Sequence, residues 1–190
     1  MWNLLRGIYR MFRVEPISRF WRNRNRIVEG RSLLTPWYEF ENARILRKFN
    51  AEIPCTGKIN PFVTPHGLSG IFISNGAVVG RDCTIFHQVT IGSNTLPDSR
   101  GQGAPVIGDN VYIGVGAKII GGITVGNNVR IGANCVVTFD VPDNATVVAA
   151  APKVIPHDTP RDNTFLHWPA YAKRMAQAQA EPQTGSAAPR

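Results

Sequence analysis

Histidine is the side chain in this sequence best suited to moving protons near neutral pH, because its ordinary pKa is about 6.5. The chain has four histidines, and two of them, His66 and His87, stand in its central part. An imidazole that faces outward can act as a general base and take a proton from a hydroxyl group. We predict that His87 is such a base and that His66 is a second base or its partner. The alternative for each is a surface histidine or one that caps a loop.

The three cysteines offer a different chemistry, that of nucleophiles or metal ligands. Cys55, Cys83 and Cys135 are odd in number and show no C-x-x-C spacing, so neither a disulfide framework nor a zinc knuckle is indicated. We predict no metal site and a reducing, cytoplasmic location. The arginine-rich N-terminus does not resemble a secretory signal, and no apolar run reaches the roughly 18 residues of a membrane span.

The net charge of +8 raises the question of nucleic-acid binding. Much of the excess lies in the first 31 residues, where eight arginines face two glutamates, and the central region is close to neutral. We therefore predict no nucleic-acid partner. In the same segment Trp2, Leu5, Tyr9 and Phe12 recur at helical spacing, which predicts a helix that packs on the protein's own assembly. The alternative is an interfacial helix attracted to anionic lipid on the inner face of the membrane.

The elements that must position these side chains follow from a repeat of six residues. Aligned from Ile73, the chain reads ISNGAV, VGRDCT, IFHQVT, IGSN and, after an interruption, IGDNVY, IGVGAK, IIGGIT, VGNNVR, IGANCV, VTFDVP. The second position is mostly glycine, and the fifth is apolar and compact, as at Cys83 and Cys135. The first position is always Ile or Val, at residues 73, 79, 85, 91, 107, 113, 119, 125, 131 and 137.

A period of six fits a solenoid in which each repeat is a short strand followed by a corner. The first and fifth positions then point inward, and glycine occupies corners where backbone angles or close approach exclude a Cβ. Three repeats make one triangular coil, and coils stack at the ~4.8 Å strand spacing. The pattern predicts a parallel β-helix in which Cys83 and Cys135 are small buried hydrophobes rather than nucleophiles.

The repeat is interrupted once, between Ile91 and Ile107, which are sixteen residues apart instead of six. The segment SNTLPDSRGQGAPV is rich in Pro, Gly, Ser and Asp and is predicted to leave the coil as a loop at 93–106. Solenoids often place such insertions on their binding face. The third position of IFHQVT points outward, so we expect His87 to lie directly beneath this loop, with His66 on the preceding coil.

The stretch IGDNVYIGVGAKIIGGITVGNNVRIGANCVVTFDVPDNATVV resembles the C-terminal half of serine acetyltransferases, which are hexapeptide-repeat acyltransferases. The stretch PHGLSGIFISNGAVVGRDCTIFHQVTIGSNT resembles O-acetyltransferases of capsule and exopolysaccharide synthesis. The resemblance implies a left-handed β-helix, a homotrimer with sites between subunits, and acetyl-CoA as the co-substrate. The positions that it implies for the acyl donor are Ser93, Asn94, Val115, Gly116, Arg130 and Ala133.

Departures from the serine acetyltransferase pattern concern the acceptor. The family's Asp-His pair is replaced by His66 and Gly67, and the loop's His-Pro by Ala104 and Pro105. Because a carboxylate that would hold the ammonium of serine is changed, we predict a sugar hydroxyl in surface polysaccharide synthesis as the acceptor. Serine O-acetylation is the alternative, which Asp98 could support. A zinc carbonic anhydrase, which needs three imidazoles per metal, and a non-catalytic scaffold are further alternatives.

The predicted organisation has three parts. Residues 1–52 form a basic, largely helical N-terminal segment, and residues 53–156 form the β-helix with its extruded loop. Residues 157–190 form a C-terminal extension whose tail has the composition of a disordered segment.

Overall fold

The fold is described by a computed structural model that covers residues 16–30, 33–99, 101–151, 153–161 and 168–180. The chain divides into two compact units, residues 1–150 and residues 151–190. The helix predicted around Trp2, Leu5, Tyr9 and Phe12 lies outside the described residues.

The central region is a parallel β-helix, as the six-residue period predicts. Its very short strands form three sheets, which we call the first, second and third faces. The first face has the order β1-β4-β7-β10, the second β2-β5-β8 and the third β11-β9-β6-β3. The strands are β1 Phe72–Ile73, β2 Val78–Val79, β3 Thr84–Ile85, β4 Thr90–Gly92, β5 Val106–Ile107, β6 Tyr112–Ile113, β7 Lys118–Ile120, β8 Thr124–Val125, β9 Arg130–Ile131, β10 Val136–Val137 and β11 Thr146–Val147.

The core of the β-helix consists of the inward positions of the repeat. Ile85, Ile113 and Ile131 pair in register on the third face, and each is 0% exposed. Cys83 and Cys135 are also buried, and their thiols donate to the carbonyl oxygens of Gly108 and Val147. The prediction of inward-pointing first and fifth positions is therefore confirmed, and the apolar columns need no helix to cover them.

The corners use two residue types for two different reasons. Glycine in the second position of the repeat is required by close approach: a Cβ on Gly80 would lie 2.3 Å from the carbonyl oxygen of Gly108 in the next coil. In six of the ten repeats the fourth position has the left-handed backbone conformation instead, and five of these six residues are Asn, Asp or Gly. Asn and Asp tolerate that conformation because their short polar side chains hydrogen-bond nearby backbone. The sequence analysis did not identify this second corner rule.

Two helices, α1 (Pro16–Glu29) and α2 (Thr35–Lys48), pack against each other and on the first coil. Phe20 of α1 is fully buried, and the Trp21 ring meets Phe62 edge-on with centroids 4.9 Å apart. Arg24 is also buried: it donates to the carbonyl of Thr56, and burial lowers the pKa of its guanidinium. The segment before the coils is therefore an integral helical cap on the apolar end of the β-helix.

The second unit contains one described helix, α3 (Trp168–Ala180), within the C-terminal extension. The sequence analysis did not predict this helix, which reaches into the stretch whose composition indicated disorder. Residues 181–190 lie outside the described part of the chain. Among the described helices, none combines the length and apolar character that crossing a bilayer requires.

Candidate functional site

His87 and His66 meet at the corner between the third and first faces, which we call the third corner. His87 follows β3, and His66 belongs to the preceding coil, one turn of the β-helix away. Their ring centroids are 5.4 Å apart and the rings are edge-on, at 89°. Counting coils in the sequence predicts that the two imidazoles share one face, and the structure places them there as direct neighbours.

The two imidazoles differ in their surroundings. His66 is exposed, and its ring also lies against Phe86, with centroids 5.6 Å apart. His87 is half-buried, and its Nδ1 is buried without a hydrogen-bond partner among the described residues. A buried polar atom without a partner costs free energy, so this nitrogen is a point at which a ligand or a water could be held. The arrangement suits proton transfer at His87 with His66 beside it.

His87 forms part of the wall of a groove of about 450 Å³, which we call the histidine groove. Its floor carries Lys118, whose Nζ donates to the carbonyl oxygen of Gln88 at 2.8 Å. The groove is lined by Phe49, Asn50, Ser69, Gly70, Phe72, His87, Gln88, Thr90 and Lys118. None of these described residues is an Asp or a Glu. The site therefore combines a base, a cation and neutral hydrogen-bonding side chains.

The sequence analysis missed Gln88 and Lys118 as members of this site. A signal for Lys118 exists, because it takes the outward sixth position of its repeat and pairs in register with Thr90 in the coil above. Gln88 carries a signal too, since it stands at a corner position that other coils give to Asn or Gly. Neither signal has meaning until the corner of each coil is known.

The six positions implied for the acyl donor fall in three places. Val115, Gly116 and Ala133 lie at the third corner in the coils that follow His87, and the Gly116 N–H donates to the carbonyl of His87 at 3.2 Å. Ser93 and Asn94 lie at the base of the loop, at the corner between the first and second faces. Arg130 is exposed on the third face. One copy of the chain thus brings only the first three close to His87.

The extruded loop does not lie above His87, which corrects the expectation from the sequence. The loop leaves the β-helix after β4, at the corner between the first and second faces, which we call the first corner. Asn94 pairs with Gly103 at the base of the loop. The loop backbone lies on the next coil, where a Cβ on Gly122 would meet the carbonyl oxygen of Gln102 at 2.2 Å. No described residue of the loop lines the histidine groove. The reason is geometric, because one repeat advances the chain by one corner and His87 precedes the loop by one repeat.

A second groove of about 250 Å³ lies on the third face, and we call it the polar groove. Tyr112 lines it and packs against Phe86 with the rings tilted at 56° and their centroids 5.1 Å apart, so an aromatic row leads from this groove to His66. The polar groove is lined by Asp82, Thr84, Asn110, Val111, Tyr112, Asn128, Val129 and Arg130. Arg130, predicted for the donor phosphates, thus lies with polar side chains on a face adjoining the histidines.

The described part of the chain gathers no three His, Cys, Asp or Glu side chains into a group that could hold a metal ion. The carbonic anhydrase alternative needs three imidazoles around zinc. Within the described β-helix two imidazoles come together, those of His66 and His87.

Comparison with known proteins agrees with this geometry. Residues 104–138 match the bacterial transferase hexapeptide family (six repeats). A serine acetyltransferase of Mycobacterium tuberculosis is 41% identical over 100 residues, which cover 53% of this chain and 43% of the relative. The chain thus spans about half the length of the curated relatives it matches.

Solved structures of serine acetyltransferases are similar over a larger part of the chain. Isoform 3 of Entamoeba histolytica, solved with cysteine, has a TM-score of 0.54 and 34% identity, covering 65% of this chain and 44% of that one. The Neisseria gonorrhoeae enzyme, solved with serine, has a TM-score of 0.56 and 31% identity, covering 73% and 55%. The central region is a left-handed, hexapeptide-repeat β-helix, and these matches show its similarity to the β-helix of serine acetyltransferases.

Proposed function

We propose that this protein is an O-acetyltransferase that moves an acetyl group from acetyl-CoA to a hydroxyl acceptor, with His87 as the general base. The observation that carries the proposal is the pair of edge-on imidazoles, of which His87 lines the histidine groove and has a buried nitrogen without a described partner. The similarity of the β-helix to serine acetyltransferases supports the reaction class.

In the proposed reaction His87 takes the proton of the acceptor hydroxyl as its oxygen attacks the thioester carbonyl carbon. The tetrahedral intermediate carries a negative oxygen, which a backbone N–H at the site would stabilise. The intermediate collapses by breaking the carbon–sulfur bond, and the thiolate of CoA takes back the proton held by the imidazolium. The products are the acetyl ester and free CoA, and the base returns to its neutral form.

A covalent acyl-cysteine route has no suitable nucleophile among the cysteines of the β-helix. Cys83 and Cys135 are both buried inside the coil, and the half-buried Cys55 accepts from Asn42 of α2; none of the three lines the histidine groove. Burial raises the pKa of the Cys83 thiol, which further disfavours the thiolate. Direct attack by the acceptor is therefore the route that we propose.

Serine is the acceptor that the comparisons favour, because the similar proteins are named serine acetyltransferases and the Neisseria gonorrhoeae and soybean enzymes were solved with serine. This reverses the order that the sequence analysis gave to the two acceptors. Lys118, which lines the groove, could hold the carboxylate of serine, since its ammonium group makes one described hydrogen bond, to the carbonyl of Gln88. We therefore propose L-serine as the first acceptor.

A sugar hydroxyl is the second candidate, and one observation favours it. The described residues that line the histidine groove include no carboxylate to pair with the ammonium group of serine. His66 and Gly67 stand where the serine acetyltransferase pattern has an Asp-His pair. A neutral sugar brings no ammonium and loses nothing by that change.

We also propose a homotrimer, in which the groove of one copy is completed by the loop of another. The loop and His87 lie at different corners of one chain, so the donor positions Ser93 and Asn94 can reach a histidine only on a neighbouring copy. Sedimentation equilibrium should give three times the chain mass. A monomer at micromolar concentration would contradict the assembly and, with it, a site shared between copies.

The experiment that tests the function measures CoA release from acetyl-CoA with L-serine and, separately, with a panel of sugars. We expect saturable turnover of serine with a KM of about 1 mM or below. Turnover of a sugar without turnover of serine would make the second candidate correct. Absence of turnover with every acceptor, in a protein that is folded and assembled, would contradict the proposed function.

A further inference from the structure

Gln88 breaks the rule that the other corners of the molecule follow. Among the described residues, seven other than glycine have a positive φ, and six of these are Asn or Asp. The seventh is Gln88, with a φ of 61°. At the third corner the equivalent positions of the next two coils are Gly116, with a φ of 70°, and Asn134, with a φ of 56°. The turn itself therefore does not call for glutamine.

The left-handed conformation is unfavourable for a side chain as long as glutamine. Asn and Asp offset the steric cost because their short side chains hydrogen-bond the nearby backbone, whereas glutamine is one methylene too long to do so. Such a residue persists only where the surrounding structure enforces its conformation. Here the Gln88 N–H donates to the Ser69 carbonyl at 2.9 Å, and its carbonyl accepts from Lys118 Nζ at 2.8 Å.

The side chain of Gln88 is exposed and lies where a ligand of the groove would lie. It follows His87 directly, its Cγ passes over Gly70, and both residues line the histidine groove. Its amide makes no described hydrogen bond within the chain, so it contributes nothing visible to the fold. A strained corner beside the base thus presents a free donor and acceptor to the groove.

We propose that Gln88 is a specificity-determining residue whose amide binds the hydroxyl acceptor while His87 takes its proton. The inference rests on the proposed function, since a base must lie within hydrogen-bond reach of the hydroxyl that it deprotonates. An amide both donates and accepts, so it suits an acceptor with a second polar group one or two bonds from the acylated hydroxyl. L-serine and sugars share that chemistry, and a simple alcohol such as propanol lacks it.

The test compares three purified, full-length variants with wild type. Gln88→Asn lowers the backbone strain at the corner and moves the amide away from the groove by one methylene. Gln88→Gly removes the amide. Asn134→Gly is the matched control at the same corner, outside the groove. We expect Gln88→Asn to raise Tm by about 2–4 °C. We expect Gln88→Gly to raise the KM for the acceptor about 3- to 10-fold, with the KM for acetyl-CoA unchanged. Asn134→Gly should leave both KM values unchanged.

Several outcomes would overturn the inference without touching the proposed function. A wild-type acceptor KM in Gln88→Gly would do so, as would a fall in Tm in Gln88→Asn, which would mean that glutamine is needed for packing. If wild type transfers acetyl to no acceptor, the proposed function fails, and calorimetry with L-serine and with the sugars then decides about Gln88. Binding of L-serine or a sugar to wild type that is lost in Gln88→Gly would support the role of the Gln88 amide. Absence of binding of these acceptors to wild type would overturn that role.

Discussion

The corner between the second and third faces, which we call the second corner, is turned by Asp82, Asn110, Asn128 and Asn144. All four have φ values between 55° and 59°. The side-chain amides of the three asparagines form a ladder, in which Asn110 donates to Asn128 at 2.9 Å and Asn128 donates to Asn144 at 3.0 Å. The third corner has Gln88, Gly116 and Asn134 in the corresponding places, without such a ladder in the described contacts.

The two corners differ in what explains their residues. At one corner the residue types follow from the turn and the stacking of coils, and at the other one residue does not. At the second corner all four residues are of types that tolerate the turn, and the three asparagines also bind one another across the coils, so the local preference and the packing agree. At the third corner the coil that carries His87 departs from this regularity, and the departure lies next to the imidazole pair and Lys118. The local preference of the corner is thus relaxed next to the residues for which we propose a catalytic role.

The largest expected effect is on catalysis, and it follows from removing the proposed base, His87, from the third corner. His87→Ala should lower kcat by about 10²–10⁴-fold, the usual contribution of general-base catalysis, with little change in Tm. Steady-state CoA release checks this. The matched control is His157→Ala, a histidine of the second unit whose Nδ1 contacts Arg161 at 3.2 Å. Near-normal turnover in His87→Ala would move the role to His66 or elsewhere.

Substitutions in the core beneath both corners should change the free energy of unfolding rather than the catalytic rate of the folded protein. Ile113 is fully buried on the third face, so Ile113→Ala should lower the free energy of unfolding by about 2–5 kcal/mol. Urea denaturation measures the loss. Val136→Ala is the control, because Val136 points outward and is 64% exposed. Equal losses in the two variants would mean that the inward and outward assignment is wrong.

A smaller effect is expected from breaking the ladder of the second corner. Asn128→Ala removes two side-chain hydrogen bonds and puts alanine in the left-handed conformation, so we expect a loss of about 1–2 kcal/mol without loss of activity. Asn128→Gly keeps the backbone conformation accessible and should lose less. If Asn128→Ala reduces kcat as much as a change at the third corner does, the two corners do not differ in the way described.

The smallest expected effect concerns the helical cap. Its Glu41 has a carboxyl group that gains a proton at acidic pH, whereas the amides of the second corner carry no charge at any pH. Burial raises the pKa of Glu41, but hydrogen bonds from Asn23 and Arg19 outweigh it and hold the pKa below its ordinary value. A carboxyl with a lowered folded pKa stabilises the fold above its unfolded pKa of about 4.3. That stabilisation is lost as pH falls through the lower, folded value.

We expect wild type to lose about 0.5–1 kcal/mol more than Glu41→Gln between pH 6 and pH 3. Denaturation followed by tryptophan fluorescence checks this, since Trp21 lies in the cap. An equal loss in both proteins would show that Glu41 contributes nothing to the acid response.

The parallel β-helix could be predicted from the repeat alone because each coil repeats the same inward positions, whereas its left hand was implied only by the resemblance to serine acetyltransferases. The residues of the histidine pair could also be predicted, since the coil length fixes which residues become neighbours. The loop was placed wrongly above His87 because the repeat gives the length of the interruption, and its corner follows only when the three faces are assigned. Gln88 escaped notice because a single glutamine has no meaning before the backbone angle at its corner is known.

The sequence by itself determined the β-helix, its buried columns and the candidate base, because burial of every sixth residue is a local, periodic property. The tertiary structure decided what faces the base: the groove, Lys118 beneath Gln88, and the loop at another corner. Those contacts join residues eighteen to thirty positions apart through the stacking of coils, as between Gln88 and Lys118 or Asn110 and Asn128. Which outward side chains meet depends on where each coil turns, and no period in the sequence records that.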